Sequence, residues 1–343
     1  MSDSAPGIAV VIVTHDSADD VPATLVALAE QRTDRDEVVL VDNASTDGGP
    51  DAFRAAAPWA TVIETGTNGG FAAGCQVGVD ATDAELILLL NPDSVPQPGF
   101  LEALRATAAE RPEWGAWQAL VTLPGGDQVN TWGNAVHFLG FGWADGHGRP
   151  IADAPTTPQA VGFASGAAMV IRRAAWDAAQ GFQSHYFMYG EDLDLSLRLR
   201  LVGWGIGVVP AARAEHDYAF TKGDYKWFYL ERNRWWTIVG TYPTRLLALL
   251  LPALLVFELL LLPVSWRAGW LKPKLRAQAA VLRELPAMLR HRRAVKRTVT
   301  VDARTFADGL TSSLDSEFLA AANALPGVAA AQRAFWRVVR ALL

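Results

Sequence analysis

Four short apolar runs near the N-terminus constrain the fold more than any other feature of this sequence. They are residues 8–13 (IAVVIV), 37–41 (EVVLV), 60–64 (ATVIE) and 86–90 (LILLL). The segments between them contain Ala, Asp and Gly and are long enough to form crossover helices. Nearly continuous apolar strands in this arrangement are typical of a parallel sheet that is covered by helices on both faces.

Polar residues follow each of the four runs within a few positions. They are Thr14-His15-Asp16, Asp42-Asn43, Asn68-Gly69-Gly70 and Asn91-Pro92-Asp93. Any one of these groups alone is more often a turn or a helix N-cap. Because ligands of such sheets bind beyond the carboxyl ends of the strands, four groups in succession predict a binding site along that edge. Pro92 ends the fourth strand and fixes the turn that presents Asp93 there.

Two common nucleotide-binding folds are excluded by their missing glycine patterns. The sequence has no G-x-x-x-x-G-K-[ST] motif, and Phe71 in GGFAAG stands where a dinucleotide-binding fold needs its second glycine. Cys75 is the only cysteine, which excludes an intrachain disulfide and a cysteine metal cluster and fits a reducing, cytosolic compartment. The N-terminal segment lacks the basic region of a secretory signal, and we interpret it as the first strand.

Seven motifs, in the order in which they occur, resemble the family 2 inverting glycosyltransferases, which have the GT-A fold. They are VVIVTHDSADDVPATLVAL, VVLVDNASTDG, NGGFAAG, LLLNPDS, GFASGAAMVIRR, FMYGEDLDLSLRLRLVGW and ERNRW, and the likeness covers residues 7–245. Within this family the sequence is most similar to bacterial rhamnosyltransferase-like enzymes that extend lipid-linked glycans. The resemblance implies an α/β protein of the GT-A nucleotide-diphospho-sugar transferase fold, with a mostly parallel central sheet flanked by helices.

The same resemblance implies a donor site on the residues that follow the apolar runs. The nucleotide-sugar would contact Thr14, Asp16, Asp42, Asn68, Gly69, Asn91 and Asp93. Asp93 and His216 correspond to the family's metal ligands, so the implied cofactor is Mg²⁺ or Mn²⁺. From the residues alone, a core or surface histidine is the simpler interpretation of His216.

The chemistry of the reaction explains the need for a divalent ion. A nucleoside diphosphate gains negative charge as the glycosidic bond breaks, and a cation that bridges its phosphates stabilises that charge. Mg²⁺ and Mn²⁺ take few ligands from the protein and the rest from phosphate and water. Asn91 stands where the family usually has a first Asp, so Asp93 is the only carboxylate of this motif.

The catalytic base of the family corresponds to Asp192. Such a base accepts the proton of the acceptor hydroxyl as its oxygen attacks the anomeric carbon. Asp192 lies in a segment that follows Gly190 and ends near Gly203, and we expect this segment to be a helix because of the resemblance. Its leucines alternate with the period of a strand, so periodicity alone favours the opposite assignment.

The helical assignment separates the two aspartates of the segment. Asp192 and Asp194 would lie about 200° apart around a helix of 3.6 residues per turn, so they cannot share one task. Asp194 stands four residues before Arg198, at the spacing of a helical ion pair. We therefore expect a structural role for Asp194.

Four residues are expected to contact the acceptor. Ser165 and Gly166 belong to a run of small residues that would let a sugar approach the backbone, although tight packing beneath the sheet explains them equally well. Glu191 precedes the base, and Arg234 lies in ERNRW, which resembles the Gln-x-x-Arg-Trp motif of processive relatives. An arginine there could bind a diphosphate of donor or acceptor.

An apolar segment at residues 246–266 marks a change in composition. It is long enough to cross a bilayer, and its only charged residue is Glu258. Pro252, Glu258 and Pro263 make a straight span costly, so we favour a re-entrant or interfacial hairpin, with a true span second and a buried soluble helix third.

The segment that follows is strongly basic. Residues 267–304 hold eleven Lys or Arg against two acidic residues, while the whole chain has a net charge of −6. This pattern predicts contact with an anionic membrane surface. Nucleic acid is the alternative anionic partner, but no recognised nucleic-acid-binding module surrounds the segment.

These observations divide the chain into three parts and predict one activity. We expect a GT-A domain at residues 1–244, an apolar and then basic membrane-associating helical region at 245–304, and a helical tail at 305–343. The predicted protein is peripheral or monotopic, on the cytosolic face of the cell membrane. The predicted activity is metal-dependent inverting transfer of rhamnose from dTDP-rhamnose onto a polyprenyl-diphosphate-linked saccharide, in cell-envelope glycan synthesis.

Three alternatives remain open. A galactofuranosyl or N-acetylhexosaminyl transferase would use a UDP-sugar. A sugar nucleotidyltransferase would share the sheet but should have a Gly-rich loop with Lys or Arg after the first strand, where this sequence has Thr14-His15-Asp16. A non-catalytic membrane adaptor with a degenerate transferase domain is the third.

Overall fold

A computed structural model describes residues 6–217, 223–314 and 327–343. Within these residues the strands are β1 (Ile8–Thr14), β2 (Glu37–Asp42), β3 (Thr61–Glu64), β4 (Leu86–Leu90), β5 (Ser94–Pro96), β6 (Trp114–Thr122), β7 (Val129–Thr131), β8 (Asn134–Val136), β9 (Gly142–Ala144), β10 (Gln159–Ala160), β11 (Ala168–Arg172) and β12 (Gly205–His216). The helices are α1 (Val21–Gln31), α2 (Gly49–Ala56), α3 (Gly70–Asp80), α4 (Phe100–Glu110), α5 (Arg173–Ala179), α6 (Glu191–Leu201), α7 (Asp224–Thr241), α8 (Thr244–Arg267), α9 (Leu271–Lys296), α10 (Ala303–Ala307) and α11 (Val328–Leu342).

The central sheet is mixed rather than mostly parallel. Its strands follow the order β10-β12-β6-β11-β4-β1-β2-β3, and in addition β5 pairs with β12 and β7 pairs with β6. The four predicted strands are β1 to β4, and they pair in parallel as expected. The difference comes from β11, which lies antiparallel between β4 and β6. No periodicity in the sequence fixes the direction of a strand that pairs with a partner about eighty residues earlier.

Two hydrophobic clusters cover the two faces of the sheet. Alternate residues of each central strand point to opposite faces, so Ile8, Val10 and Ile12 pack with α1 and α4. Val11 and Val13 pack with α3, α5 and α6 on the other face. Burial on both faces explains why the strands are apolar at nearly every position.

The helix α6 confirms the helical assignment of the Glu191–Leu201 segment and explains its misleading leucines. Leu195 and Leu199 pack against the sheet cluster. Leu193, Leu197 and Leu201 pack on the other side, against α7, α8 and the C-terminal residues. A helix that is buried on two opposite sides needs apolar residues in two rows, and two rows of i, i+4 leucines offset by two residues read as a strand-like alternation.

The apolar segment forms one continuous helix, α8, and not a hairpin within residues 246–266. Pro252 and Pro263 lie inside it without ending it. A turn at residues 268–270 then leads into α9, which packs along α7. α7 ends at Thr241 and α8 begins at Thr244, next to the boundary expected at residue 244, which stays a prediction. The basic region packs closely against α7.

A buried ion-pair cluster joins α7, α8 and α9. The Lys274 ammonium donates to Glu231 at 2.6 Å and to Glu258 at 2.7 Å, and the Arg234 guanidinium pairs with Glu258. The Lys274 side chain is 1% exposed. Because a buried charge that loses its partner is costly, this cluster fixes how the three helices meet.

We expect Lys274→Met to destabilise the protein. The substitution keeps the volume of the side chain but leaves two carboxylates with one remaining cation, so the free energy of unfolding should fall by about 3–5 kcal/mol. Lys272→Met, at an exposed position of the same helix, is the matched control and should change it by less than about 0.5 kcal/mol. Denaturant unfolding measures both variants, and equal effects would contradict the structural role of the cluster.

Candidate active site

Thr14 and Asp42 lie side by side where β1 and β2 end, because the parallel register pairs these two residues. The Thr14 hydroxyl donates to an Asp42 carboxylate oxygen at 3.3 Å. Ser45 donates to the same carboxylate through its hydroxyl and its amide. Asp42 is 2% exposed, so its carboxylate is held in one orientation at the predicted edge of the sheet.

Asp16 closes the loops that follow β1 and β2. Its carboxylate accepts from the Thr46 amide at 2.7 Å, and its own amide donates to the Ser45 hydroxyl at 2.9 Å. Its φ is +49°, a left-handed conformation that Asp tolerates better than most residues. Asp16 therefore links the two loops at the predicted nucleoside site, and its side chain remains exposed to solvent.

The Asn68-Gly69-Gly70 turn begins α3. The Asn68 side-chain oxygen Oδ1 accepts from the Gly70 amide at 2.9 Å, and the Asn43 side chain donates to the Gly70 backbone carbonyl at 3.0 Å. Gly70 has φ of +83°, and a Cβ there would clash with the Phe187 carbonyl oxygen. Asn43 was missing from the predicted site, although its position in the polar run after the second strand was the signal for it.

Asp93 and His216 meet, as expected for a metal pair. The Asp93 carboxylate lies 3.1 Å from His216 Nε2, and the Asn91 side-chain amide lies 3.3 Å from the same nitrogen. The contact depends on β5, because its antiparallel pairing with β12 sets Ser94 opposite His216. Residues separated by more than a hundred positions thus face each other at the end of the sheet.

This pair fits a divalent ion that also binds a diphosphate. Among the described residues, no group of three or more His, Cys, Asp or Glu side chains converges on one point, so the protein can supply at most two such ligands here. Mg²⁺ and Mn²⁺ sites on nucleotides commonly use one or two protein ligands and complete their coordination with phosphate and water. The imidazole nitrogen suits Mn²⁺ better than Mg²⁺.

Asp192 lies in the first turn of α6 and accepts two backbone hydrogen bonds. They come from the Gly166 amide at 3.1 Å and the Leu193 amide at 2.7 Å. Burial raises the pKa of Asp192 above its ordinary value, and these two hydrogen bonds offset part of the rise. A carboxylate with a raised pKa is a stronger base, and this one is fixed in position by its backbone partners.

Glu191 precedes Asp192 at the start of α6. Burial, and secondarily the Asp192 carboxyl, raise the pKa of Glu191 well above its usual range. Its side chain is buried, and one carboxyl oxygen has no hydrogen-bond partner among the described residues. Both effects disfavour the charged form of Glu191 relative to a solvent-exposed glutamate.

Asp194 has the structural role that was expected for it. Its carboxylate accepts from Arg198 Nε at 2.7 Å, and both side chains are buried. Arg198 also donates to the Ala179 carbonyl of α5. Asp194 thus anchors α6 to α5 and turns away from Asp192.

The segment that contains Ser165 and Gly166 is fixed by a buried glutamine. Gln118, in the middle of β6, accepts from the Ser165 amide at 2.9 Å and from Asn134 at 2.7 Å. Gln118 is fully buried. It is the single polar side chain in the apolar run GAWQALV, and this pattern was the signal that the sequence interpretation missed.

Gly166 and Ala167 connect Asp192 to the segment that carries Asn91 and Asp93. The Gly166 amide donates to Asp192, and the Ala167 carbonyl accepts from the Asn91 amide at 3.0 Å. The two predicted halves of the site are therefore attached to two adjacent residues of one short segment.

Arg234 is not placed for the acceptor contact that was expected of it. It is 5% exposed, donates to the Leu139 carbonyl at 3.0 Å and pairs with Glu258 in the ion-pair cluster. The apolar helix α8 covers it and supplies Glu258, which compensates its charge. The resemblance of ERNRW to a known motif gave no sign of Glu258, because Glu258 lies on a different helix.

A family model and a curated relative agree on the family. Residues 6–237 match the model described as glycosyltransferase like family 2. Over 247 residues the chain is 30% identical to the N-acetylglucosaminyl-diphospho-decaprenol L-rhamnosyltransferase of Mycobacterium tuberculosis, in an alignment that covers 65% of this chain and 79% of that protein.

Two solved structures share the fold. GalNAc-T7, solved with UDP, GalNAc and Mn²⁺, superposes with a TM-score of 0.58 at 14% identity over 71% of this chain, which spans only 49% of the GalNAc-T7 chain. S. aureus TarS 1–349 gives a TM-score of 0.50 at 15% identity, over 97% of this chain and 90% of the other. The expected GT-A fold is confirmed, and the chain belongs to glycosyltransferase family 2.

Proposed function

We propose that this chain transfers rhamnose from dTDP-rhamnose onto a polyprenyl-diphosphate-linked saccharide, with inversion at the anomeric carbon. The observation that carries the proposal is the attachment of Asp192 and Asn91 to the adjacent residues Gly166 and Ala167. One cleft then holds both the base and the ligands for a diphosphate leaving group. The sugar and the acceptor class follow from the name of the mycobacterial relative.

The proposed reaction is a single displacement. The acceptor hydroxyl gives its proton to the Asp192 carboxylate while its oxygen bonds to the anomeric carbon. The bond from that carbon to the diphosphate breaks, and the nucleoside diphosphate leaves with the electron pair. A bound Mg²⁺ or Mn²⁺, held by Asp93 and His216, would stabilise the charge of the leaving group.

The donor side of the cleft would hold the nucleoside and the sugar. Thr14, Asp16, Asp42 and Asn68 lie at or beyond the carboxyl ends of β1 to β3, and Gly69 follows Asn68 at the start of α3. On the acceptor side, Ser165, Gly166 and Glu191 adjoin the base. We place Glu191 there because one of its carboxyl oxygens has no hydrogen-bond partner among the described residues.

A UDP-sugar transferase is the second candidate. GalNAc-T7 was solved with UDP and Mn²⁺, and thymine differs from uracil by a single methyl group. A nucleotidyltransferase is disfavoured because the loop after β1 is Thr14-His15-Asp16 and lacks glycines and cations. Thermal stabilisation by a panel of nucleotide sugars with Mn²⁺ would separate the two donors.

The exposed face of α8 is the proposed membrane contact. Its Leu246, Leu250 and Leu254 are buried against the protein, whereas Leu259 and Trp266 are 67% and 71% exposed. The helix is long and apolar enough to cross a membrane, and only 17% of its most apolar 18-residue stretch is buried inside the protein. Crossing would separate Glu258 from Lys274 and Arg234, so we propose that α8 lies in the cytosolic interface with its exposed face in the lipid.

The basic residues of α9 support the same orientation. Arg276, Arg283, Arg290 and Arg293 are charged residues of a helix that also exposes Leu282 at 74%. Cations beside an exposed apolar face favour an anionic lipid surface. The protein would then be monotopic or peripheral, close to a lipid-linked acceptor.

The metal proposal predicts that Asp93→Ala abolishes transfer. The motif contains no second carboxylate, so Mn²⁺-dependent affinity for the nucleoside diphosphate should also fall by at least about tenfold. Asp83→Ala, at the opposite end of β4 and exposed, should leave both quantities unchanged. Transfer assays and calorimetry with and without EDTA measure them, and full activity in EDTA would refute the metal role.

The base proposal predicts that Asp192→Asn lowers kcat by about 10²- to 10⁴-fold. Asn keeps the size of the side chain but cannot accept the proton. The donor dissociation constant should scarcely change, because the proposed donor residues lie at or beyond the carboxyl ends of β1 to β4 and not on α6. Asp194→Asn is the control and should lower stability, since Arg198 loses its buried partner, with kcat per folded molecule retained. The opposite result for the two variants would show that the base is misassigned.

The membrane proposal predicts that Leu255→Asn, Leu259→Asn and Trp266→Asn together release the protein from vesicles. Each substitution removes an apolar side chain worth about 1.5–3 kcal/mol when fully buried, so even partial insertion implies a loss of more than tenfold in vesicle affinity. Val26→Asn, at an exposed apolar position of α1, is the control. Cosedimentation with vesicles that contain anionic lipid measures binding, and unchanged pelleting of the triple variant would disprove the contact.

A further inference from the structure

The loop that leads into α6 is held in a strained conformation. Phe187 and Tyr189 have φ of +63° and +67°, and neither is glycine. Bulky residues avoid this left-handed region, and each such residue costs on the order of 1–3 kcal/mol. The loop ends at Gly190, one residue before Glu191 and two before the proposed base. Such strain persists only where surrounding contacts hold it.

Asn233 of α7 supplies those contacts from one side. Its side-chain nitrogen lies 3.0 Å from the Tyr186 carbonyl oxygen, 2.9 Å from that of Met188 and 2.8 Å from that of Tyr189. All three partners are acceptors, so the amide nitrogen and not its oxygen must face the loop. Asn233 is 1% exposed, so these hydrogen bonds are shielded from solvent water.

Arg232 fixes the orientation of Asn233. Its guanidinium donates to the Asn233 side-chain oxygen at 2.9 Å and to the His185 carbonyl at 2.7 Å. Glu284 of α9 accepts from the same guanidinium at 2.9 Å. The carbonyls of four residues between positions 185 and 189 are therefore bound by two adjacent side chains of α7.

Phe187 ties the loop to the donor side of the cleft. Its carbonyl accepts from the Ala72 amide at 3.2 Å, and its ring stacks on Tyr229 with the centroids 5.4 Å apart. Gly70 approaches the same carbonyl too closely for any side chain at that position. The loop is thus clamped between the first turn of α3 and α7.

We propose that Asn233 is a positioning residue for the base, which acts by holding the strained 186–190 loop so that Asp192 faces the acceptor hydroxyl. The inference rests on the proposed role of Asp192. Asn233 itself touches no reacting atom. Within ERNRW, Glu231 and Arg234 belong to the ion-pair cluster, whereas Asn233 binds the loop that precedes Asp192.

Kinetics of Asn233→Ala test the proposal. Loss of the clamp lets the loop relax, and a misplacement of the base by about 1 Å costs about 10²-fold in kcat. The donor KM and dissociation constant should stay within about twofold, because the donor contacts do not involve α7. Asn233→Ser, which keeps one donor, should give a smaller loss in the same direction and serves if the alanine variant folds poorly.

Thr237→Val is the matched control one turn along α7. Thr237 is also buried and bonds the Tyr186 hydroxyl at 2.9 Å, but it does not bind the loop carbonyls. It should lose stability without losing kcat. Rates are expressed per donor-binding site measured by calorimetry, so that unfolded protein does not count. Equal kcat losses for Thr237→Val and Asn233→Ala would overturn the proposal.

A double-mutant cycle separates positioning from a general structural effect. If Asn233 acts through the base, Asp192→Asn combined with Asn233→Ala should be no slower than Asp192→Asn alone. Multiplied losses in the double variant would overturn the inference, as would full kcat in Asn233→Ala and Asn233→Ser. These results leave the proposed function intact, whereas full turnover in Asp192→Asn alone refutes the base assignment itself.

Discussion

The antiparallel pairing of β11 with β4 is the contact on which the candidate site depends. It brings Ala167 against Asn91, and the preceding residue, Gly166, then presents its amide to Asp192. A shift of this register by one residue would turn these groups to the opposite face of the sheet. The placement of Asp192 relative to the Asn91–Asp93 turn therefore depends on the register of these two strands.

The parts of the fold that come from local pattern could be predicted from the sequence. The four parallel strands and the polar edge beyond them follow from short apolar runs and the residues after them. The mixed character of the sheet could not be predicted, because β11 and β12 pair with strands distant in sequence. The leucines of α6 misled for a physical reason: helix burial on two sides produces an alternation that single-sequence periodicity assigns to a strand.

The candidate site divides in the same way. Asp42, Asn68, Asp93 and Asp192 lie at strand ends or helix starts, where local pattern and the motif resemblance together could single them out. Their roles stay predictions. Arg234 was misplaced because its partner, Glu258, lies on a helix that composition alone assigned to lipid. Glu258 and Lys274 show that α8 has one side committed to the protein, which leaves only its other side for a membrane.

The anomeric configuration of the product tests the central claim most directly. Purified protein, Mn²⁺, dTDP-rhamnose and a short polyprenyl-diphosphate-linked saccharide would be incubated, and the new glycosidic bond would be examined by NMR. One positioned carboxylate opposite a diphosphate site predicts a product of inverted configuration relative to the donor. A product with retained configuration would contradict a single displacement assisted by Asp192, whatever sugar is transferred.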